Sequence, residues 1–262
     1  MKEPSAGWAS SPHSVGGDVD IAAVGALVAD PARCRILLAL ADGRALPANR
    51  LAAEAGISAA TASSHLGKLT TAGLLLVEAR GRYRFYRLAG PEVGTLIEAL
   101  ERFAPALPVR SLRQSHRAQT LREARMCYDH LAGRLGVNLM RVMIERGYLT
   151  GYDDAHDPTG AQRDQRAPDG AVADIDDYAL TERGKSFLDA FGVQLPAHRQ
   201  SVRYHMDSSE QRLHLSGTLG RGLLNRFIEL EWIRRSDDSR AVLITQAGRQ
   251  GLAESFEIHP DA

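Results

Sequence analysis

One segment constrains the fold of this chain more than any other: residues 51–88, LAAEAGISAATASSHLGKLTTAGLLLVEARGRYRFYRL. Gly56 can take the positive φ that ends one helix, and the Ser58 hydroxyl can accept a backbone N–H that begins the next. Gly73 closes the second helix, and a strand, a tight Arg-Gly-Arg turn and an alternating return strand follow. This order of elements predicts a winged helix-turn-helix.

The second helix of this segment predicts a face that reads DNA. Ala62, Leu66 and Leu69 recur at i, i+4 and i+7, so they form an apolar stripe that packs inward. The polar residues around them are interpreted as an outward face whose side chains reach bases and phosphates in the major groove. Within residues 58–88, five Lys or Arg stand against one acid, and the wing arginines suit phosphates or the minor groove. The predicted DNA-binding residues are Ser58, Thr61, Ser63, Ser64, His65, Lys68, Arg80, Arg82 and Arg84.

A second interpretation of the same residues is a polar helix face and a solvated hairpin. Helix-turn-helix patterns arise by chance, and winged helices also bind proteins. A protein-interaction adaptor without DNA specificity is therefore the alternative to a DNA-binding regulator. The basic wing favours DNA, because clustered positive charge in a neutral chain is typical of phosphate contact.

Residues 18–105 resemble the ArsR/SmtB family of bacterial transcriptional regulators. The resemblance rests on DPARCRILLALADG at 30–43 and on the pattern S-x-x-T-x-S-x-H-L-x-x-L-x-x-A-G-L that begins at Ser58. It implies a homodimeric repressor that leaves its operator when an effector binds, with the terminal helices forming the dimer interface. An apolar stripe in residues 91–103 could supply that interface or belong to the core of its own domain.

The chain departs from this family at one site. Members that sense arsenic or soft metals through the helix before the recognition helix carry a Cys-x-Cys there. Residues 51–57 contain no cysteine, so metal sensing at that place is not supported.

Charge and cysteine content bear on compartment and partners. The 262 residues contain 32 basic and 32 acidic side chains, so the positive charge is local rather than global. Two cysteines are too few for a disulfide framework and suit a reducing cytoplasm. The N-terminus lacks the apolar core of a signal peptide, and no apolar run approaches the roughly 20 residues that span a bilayer. We expect a cytoplasmic protein with no membrane partner.

The C-terminal part of the chain contains an internal repeat. HLAGRLG at 130–136 is echoed by HLSGTLG at 214–220, and LTERGKSFL at 180–188 is echoed by ITQAGRQGL at 244–252. Each copy predicts a helix, a Gly turn, a helix, a strand, a hairpin return and a short helix, which is winged-helix-like. Neither copy has a wing as basic as residues 80–87, so an effector or a second subunit suits them better than DNA.

The predicted fold is mainly α with small β-wings: an N-terminal winged helix-turn-helix followed by two tandem winged-helix-like repeats. The predicted domains are a disordered tail (1–17), an ArsR-like winged helix-turn-helix for DNA binding and dimerisation (18–105), a linker (106–118), and the two repeats (119–195 and 196–262).

Cys127 and His130 are candidate effector residues, because their spacing places both on one face of a predicted helix. They could give two ligands to a soft metal or zinc, with His214 and His205 as further ligands, or form a thiol activated by the imidazole. Equally, Cys127 could be a small buried residue and His130 a structural one, as His214 has no nearby cysteine. The effector therefore stays open between a metal, an oxidant and an organic small molecule, and no cofactor is predicted.

The sequence lacks common catalytic motifs, and this argues against an enzyme. The sequence contains no G-x-x-x-x-G-K-[ST], no H-E-x-x-H and no G-x-S-x-G. The acidic residues 153–157 lack the spacing of a calcium loop.

The sequence therefore predicts a sequence-specific transcriptional regulator that binds double-stranded operator DNA as a homodimer, most simply a repressor, and that responds to an effector on its C-terminal domain.

Overall fold

The computed structural model describes residues 19–105, 108–151, 178–196 and 202–260. The predicted tail, the acidic residues 153–157 and part of the predicted linker lie outside the described residues. The chain divides into two compact units, Met1–Ile97 and Glu98–Ala262, and the division falls within one helix. Among the described residues, no helix combines the length and the apolar character that a membrane-spanning segment requires.

The first unit is helical with one small antiparallel sheet, in the strand order β1-β3-β2. Strands β2 and β3 form a six-pair ladder closed by Gly81 and Arg82. Its elements are α1 (Ile21–Val28), α2 (Pro31–Ala39), β1 (Leu46–Pro47), α3 (Ala48–Ala55), α4 (Ala59–Thr71), β2 (Leu75–Arg80), β3 (Tyr83–Leu88) and α5 (Pro91–Phe103), whose last turns belong to the second unit.

Local sequence signals explain where these helices begin and end. Ser58 caps α4 by accepting a hydrogen bond from the Thr61 N–H at 3.2 Å, as predicted. Gly56 ends α3 with a φ of +66°, a conformation that costs little only without a Cβ. The predicted stripe of α4 is fully buried, with Leu66 and Leu69 at 0 % exposure, and this fixes the rotation of the helix in the unit.

The second unit repeats one series of elements. A short hairpin, a 13-residue helix, a short antiparallel strand pair and a last helix occur twice in the same order. The first series is β4 (Arg125–Cys127), β5 (His130–Ala132), α7 (Gly133–Glu145), β6 (Leu149–Gly151), β7 (Tyr178–Leu180) and α8 (Glu182–Phe191), preceded by α6 (Leu112–Glu123). The second is β8 (Tyr204–Met206), β9 (Leu213–Leu215), α9 (Gly217–Glu229), β10 (Ile233–Arg235), β11 (Val242–Ile244) and α10 (Gln246–Phe256).

This order corrects one prediction. A strand, not a helix, comes before each Gly turn, so Cys127 and His130 do not share a helix face. They pair across a hairpin whose turn is Tyr128-Asp129, with Tyr128 at a φ of +55°. Residues i and i+3 are close both in a helical turn and across a tight β-turn, so the spacing did not distinguish the two.

The repeated Thr-x-x-Gly motif has the same role in both copies. Thr181 accepts from the Gly184 N–H at 3.0 Å and donates to the Gly147 carbonyl at 2.8 Å. Thr245 accepts from the Gly248 N–H at 2.9 Å and donates to the Glu231 carbonyl at 2.8 Å. Each threonine therefore caps a helix and ties it to the preceding turn.

One hydrophobic core serves both copies of the second unit. Helix α7 packs against β9 and helix α9 against β5, so each copy covers the first hairpin of the other. Aromatic rings from both copies meet in this core, where Phe187 of the first copy lies 5.5 Å from the fully buried Phe256 of the second. Neither copy can bury its apolar face alone, so the pair folds as one body.

Candidate functional site

The exposed face of α4 is polar, as predicted for a recognition helix. Thr61, Ser63, Ser64 and Lys68 are all exposed, and Ser58 is exposed at the N-terminus of the helix. The hydroxyls of Ser58 and Thr61 lie 2.9 Å apart, which orders the first turn. Short hydroxyl side chains along a helix face allow the backbone to approach a base edge closely.

His65 does not belong to this face, and the prediction that it points outward is wrong. Its side chain is only 13 % exposed; Nδ1 lies 3.4 Å from the Arg33 guanidinium and Nε2 lies 3.9 Å from the Asp30 carboxylate. The physical reason is rotation: at about 100° per residue, position 65 falls beside the buried stripe and not opposite it. His65 therefore connects α4 to the start of α2.

The wing presents its arginines unequally. Glu78 accepts hydrogen bonds from Arg80 and Arg87, each at 2.9 Å, and the bonds from Arg87 and then Arg80 hold the pKa of this carboxyl below its usual value. Arg82 and Arg84 are exposed, and no carboxylate of the described residues lies within salt-bridge distance of either. The unneutralised positive charge of the wing is therefore at its tip.

Five ligand-type side chains converge inside the second unit: Glu98, Cys127, His130, His205 and His214. Each residue offers one ligand atom, and these five atoms all lie within 4.8 Å of one another. Four of the five residues are buried, and the His205 side chain is 24 % exposed. We call this group the Cys-His-Glu cluster. It contains all three weakly predicted effector residues, Cys127, His130 and His214.

The cluster lies where the two copies of the repeat meet. Cys127 pairs with His130 across the first hairpin, and His205 pairs with His214 across the equivalent hairpin. The Nε2 atoms of His130 and His214 are 3.2 Å apart, with their rings stacked. Each copy thus supplies two side chains from matching positions of its hairpin.

Two glycines allow this meeting. A Cβ on Gly220 would lie 3.0 Å from the Cβ of His130, and a Cβ on Gly136 would lie 3.5 Å from the Cβ of His214. Each glycine also faces a backbone carbonyl of the strand before it. The HLxGxLG motif therefore combines a strand histidine with the glycine that makes room for its counterpart.

Carboxylates stand behind two of the histidines. His130 Nδ1 lies 3.2 Å from Asp129, which is held by Arg221 at 2.7 Å. His214 Nδ1 lies 4.0 Å from Asp207, which is held by Arg125 at 2.9 Å. The contact with Asp129 turns Nε2 of His130, with its lone pair, toward a shared centre. Nδ1 of His214 has no hydrogen-bond partner among the described residues.

Protonation in the cluster does not fit an activated thiol. Burial, followed by the charge of Glu98, raises the pKa of the Cys127 thiol well above its usual value. Burial also lowers the pKa of His130 to about 4, so its imidazole is neutral at pH 7. Of the alternatives left open by the sequence, the thiol activated by the imidazole is therefore not favoured. Both Cys127 and Cys34 are free, so the structure forms no disulfide.

Sequence reasoning missed Glu98 and the two supporting carboxylates. Glu98 is 29 or more positions from every other member of the cluster, on a helix that the sequence left open between the dimer interface and the core. Asp207 is fully buried although it lies in a polar-looking turn. The repeat, which aligned His130 with His214, was a signal for the histidines of the cluster. It gave none for these three carboxylates.

Comparison with known proteins decides the family. Residues 28–78 match the family model of a helix-turn-helix domain. The chain is 38% identical over 243 residues to the uncharacterized HTH-type transcriptional regulator YdfF of Bacillus subtilis, covering 91% of this chain and 98% of that protein. The chain belongs to the HTH-type transcriptional regulators. Because the matched region covers nearly all of both proteins, it extends beyond the helix-turn-helix domain into the second unit.

Two further likenesses concern the N-terminal part of this regulator. It is 44% identical over 69 residues to the HTH-type transcriptional regulator CmtR of Mycobacterium tuberculosis, covering 26% of this chain and 58% of that protein. HlyU from Vibrio cholerae is 30% identical, covers 30% of this chain and 86% of its own, and has a TM-score of 0.29. The prediction of a helix-turn-helix transcriptional regulator is confirmed.

Proposed function

We propose that this regulator is a homodimeric repressor of the bacterial cytoplasm, without catalytic activity, that reads operator DNA with α4 and the wing. The observation that carries the proposal is the exposed polar face of α4 next in sequence to a wing whose tip arginines have no acidic partner among the described residues. A helix of 13 residues is long enough to lie in the major groove, whose width admits one α-helix.

The roles of the DNA-facing residues follow from their chemistry. Thr61 and Ser64 reach base edges, with Ser63 at the side of the same face, and these contacts would give sequence preference. Lys68 contacts a phosphate. Arg82 and Arg84 contact phosphates or the minor groove, and Arg80, which shares Glu78 with Arg87, contributes less charge.

Helix α1 supports the homodimer. Its sequence IAAVGALV is entirely apolar, yet none of its residues is buried, and Ile21 is 75 % exposed. An apolar helix that keeps no residue buried is stabilised in water when a further surface covers its exposed face. A second copy of the chain is the occupant that the family resemblance implies.

The second unit is proposed as the effector domain. Its two repeats, interpreted from sequence as winged-helix-like, bury their matching histidines in one shared core instead of presenting a basic face. An adaptor that binds only proteins is the competing function, and it predicts no dependence of DNA affinity on the α4 face.

The test is fluorescence anisotropy with a duplex from upstream of the protein's own gene and a scrambled duplex, across a salt series. We expect Arg82→Ala to weaken binding to both duplexes and to reduce the salt slope by about one unit. Ser64→Ala should cost about 1 kcal/mol on the operator alone, the value of one hydrogen bond. Arg141→Ala is the matched control, because it removes one positive charge from an exposed pair of the second unit. Variants indistinguishable from this control would favour the adaptor.

A further inference from the structure

We propose that the Cys-His-Glu cluster is an internal binding site for one divalent transition-metal ion of the Zn²⁺ type. The first argument is geometric. In a tetrahedral zinc site with zinc–nitrogen bonds of 2.0–2.1 Å, ligand atoms are about 3.3 Å apart. The Nε2 atoms of His130 and His214 are 3.2 Å apart, and His214 Nε2 lies 3.3 Å from Glu98 Oε1. The spacing already suits a metal at their centre.

The second argument is that the polar atoms of the cluster do not satisfy one another. Both carboxylate oxygens of Glu98 and Nδ1 of His205 are buried without a hydrogen-bond partner among the described residues. His205 Nδ1 lies 2.6 Å from Glu98 Oε2, but the approach lacks the angles of a hydrogen bond. A buried carboxylate that accepts no well-aligned hydrogen bond is costly, and a bound cation removes that cost.

The third argument is charge. Glu98 and a metal-bound Cys127 thiolate together carry two negative charges, which a divalent ion neutralises. The supporting carboxylates add no net charge, because Asp129 pairs with Arg221 and Asp207 with Arg125. Without a metal, the charge of Glu98 would have to be balanced by a protonated histidine of the cluster. That arrangement would give the buried Cys127 thiol no role.

The ligand set indicates the class of ion. One thiolate, imidazoles and one carboxylate suit ions of intermediate softness, whereas Mg²⁺ and Ca²⁺ prefer oxygen ligands alone. Five candidate ligands exceed the four of a closed tetrahedral site. His205, the one partly exposed member, is therefore the ligand that can exchange and through which an ion enters.

This site differs from the cysteine pair of the family, which the chain lacks. It arises from the internal repeat: each copy contributes the two paired positions of one hairpin, and α5 contributes Glu98. The division between the two units falls within α5. Glu98 is the first residue of the second unit, so the whole ligand set lies within that unit.

The decisive experiment is a Co²⁺ titration of the metal-free full chain, followed by absorption spectroscopy. We expect one equivalent to bind, with the intense visible bands of tetrahedral cobalt and a near-ultraviolet thiolate-to-cobalt band, and Zn²⁺ to displace it. Cys127→Ser should abolish the thiolate band, and Cys34→Ser, the matched control, should retain it. Absence of saturable Co²⁺ binding, or loss of the band in Cys34→Ser instead, would overturn the proposal.

A second variant, at Asp129, separates an effect on metal binding from an effect on folding. His214 is fully buried, so its replacement tests folding as well as binding. Asp129 is 23 % exposed and acts only through His130. Asp129→Asn should weaken Co²⁺ binding 10- to 100-fold, the usual effect of losing a carboxylate behind a metal-bound histidine. An unchanged affinity would contradict the geometry proposed for His130.

The consequence for regulation rests on the proposed function. Saturation with Zn²⁺ should change the Kd for operator DNA by at least about fivefold in the wild type and by less in Cys127→Ser. A wild-type Kd insensitive to Zn²⁺ would overturn the regulatory role. Failure of both metal-free and Zn²⁺-loaded protein to bind DNA would instead refute the proposed function, while the cobalt spectrum would report on the site separately.

Discussion

The buried ion pair between Arg125 and Asp207 makes the stability of the second unit sensitive to one substitution, Arg125→Met. The Arg125 side chain is 4 % exposed and Asp207 is fully buried. Burial raises the pKa of Asp207, but the charge of Arg125 and the backbone N–H groups of Glu210 and Gly133 lower it to about 2. Removing Arg125 leaves a buried carboxylate that loses one hydrogen bond and its opposite charge but still accepts from backbone N–H groups.

The expected loss is about 3 kcal/mol of unfolding free energy, near the lower end for breaking a buried pair, because Gly133, Ser209 and Glu210 still donate to Asp207. The pKa of Asp207 is lowered on folding, so its contribution is present above the unfolded value of about 3.9 and is lost as pH falls toward about 2. In the variant, protonation relieves the unpaired carboxylate. The difference in unfolding free energy between the wild type and Arg125→Met should therefore be largest at neutral pH and become smaller in acid.

Urea unfolding followed by the fluorescence of Trp232 measures this loss. Trp232 stacks on Phe227 in the core of the second unit, and a Trp8→Phe background leaves it as the sole reporter of the two tryptophans. Arg141→Met, which breaks an exposed pair with Glu145, is the control and should cost under about 0.5 kcal/mol. A loss below about 1 kcal/mol for Arg125→Met, or one that does not narrow in acid, would refute the reasoning.

Three further substitutions test other parts of the structure. Gly248→Ala should cost about 3 kcal/mol in the same unfolding assay, because its Cβ would overlap the Trp232 carbonyl; a neutral result would contradict the repeated turn. Ile21→Glu should convert the dimer to monomer in sedimentation velocity, and an unaltered mass would exclude α1 from the interface. His65→Ala should lower thermal stability and leave base preference unchanged, unlike Ser64→Ala; relaxed specificity would restore His65 to the DNA-facing set.

The N-terminal fold was accessible to sequence reasoning because its signals are local. The cap at Ser58, the left-handed Gly56 and the buried stripe of α4 each depend on residues within one or two helical turns. The face of α4 was predicted less well, since His65 lies at the edge of the polar arc. Its contact with α2 decides that it turns inward.

The candidate site in the second unit was accessible only in part. The repeat aligned His130 with His214, and the Cys-x-x-His spacing singled out Cys127. The hairpin that joins Cys127 to His130 was predicted as a helix, because residues i and i+3 are close in both structures. Nothing local identified Glu98 as their neighbour.

The sequence by itself determined the winged helix-turn-helix, the basic wing and the duplication, because periodicity, caps and repeats act over short distances along the chain. Only the tertiary structure decided which polar residues are buried and which ones meet. Packing two similar copies against each other brings their equivalent hairpins together. As a result the Nε2 atoms of His130 and His214 lie 3.2 Å apart, although the two residues are 84 positions apart in the sequence. Such a contact depends on the shared core, which no single segment specifies.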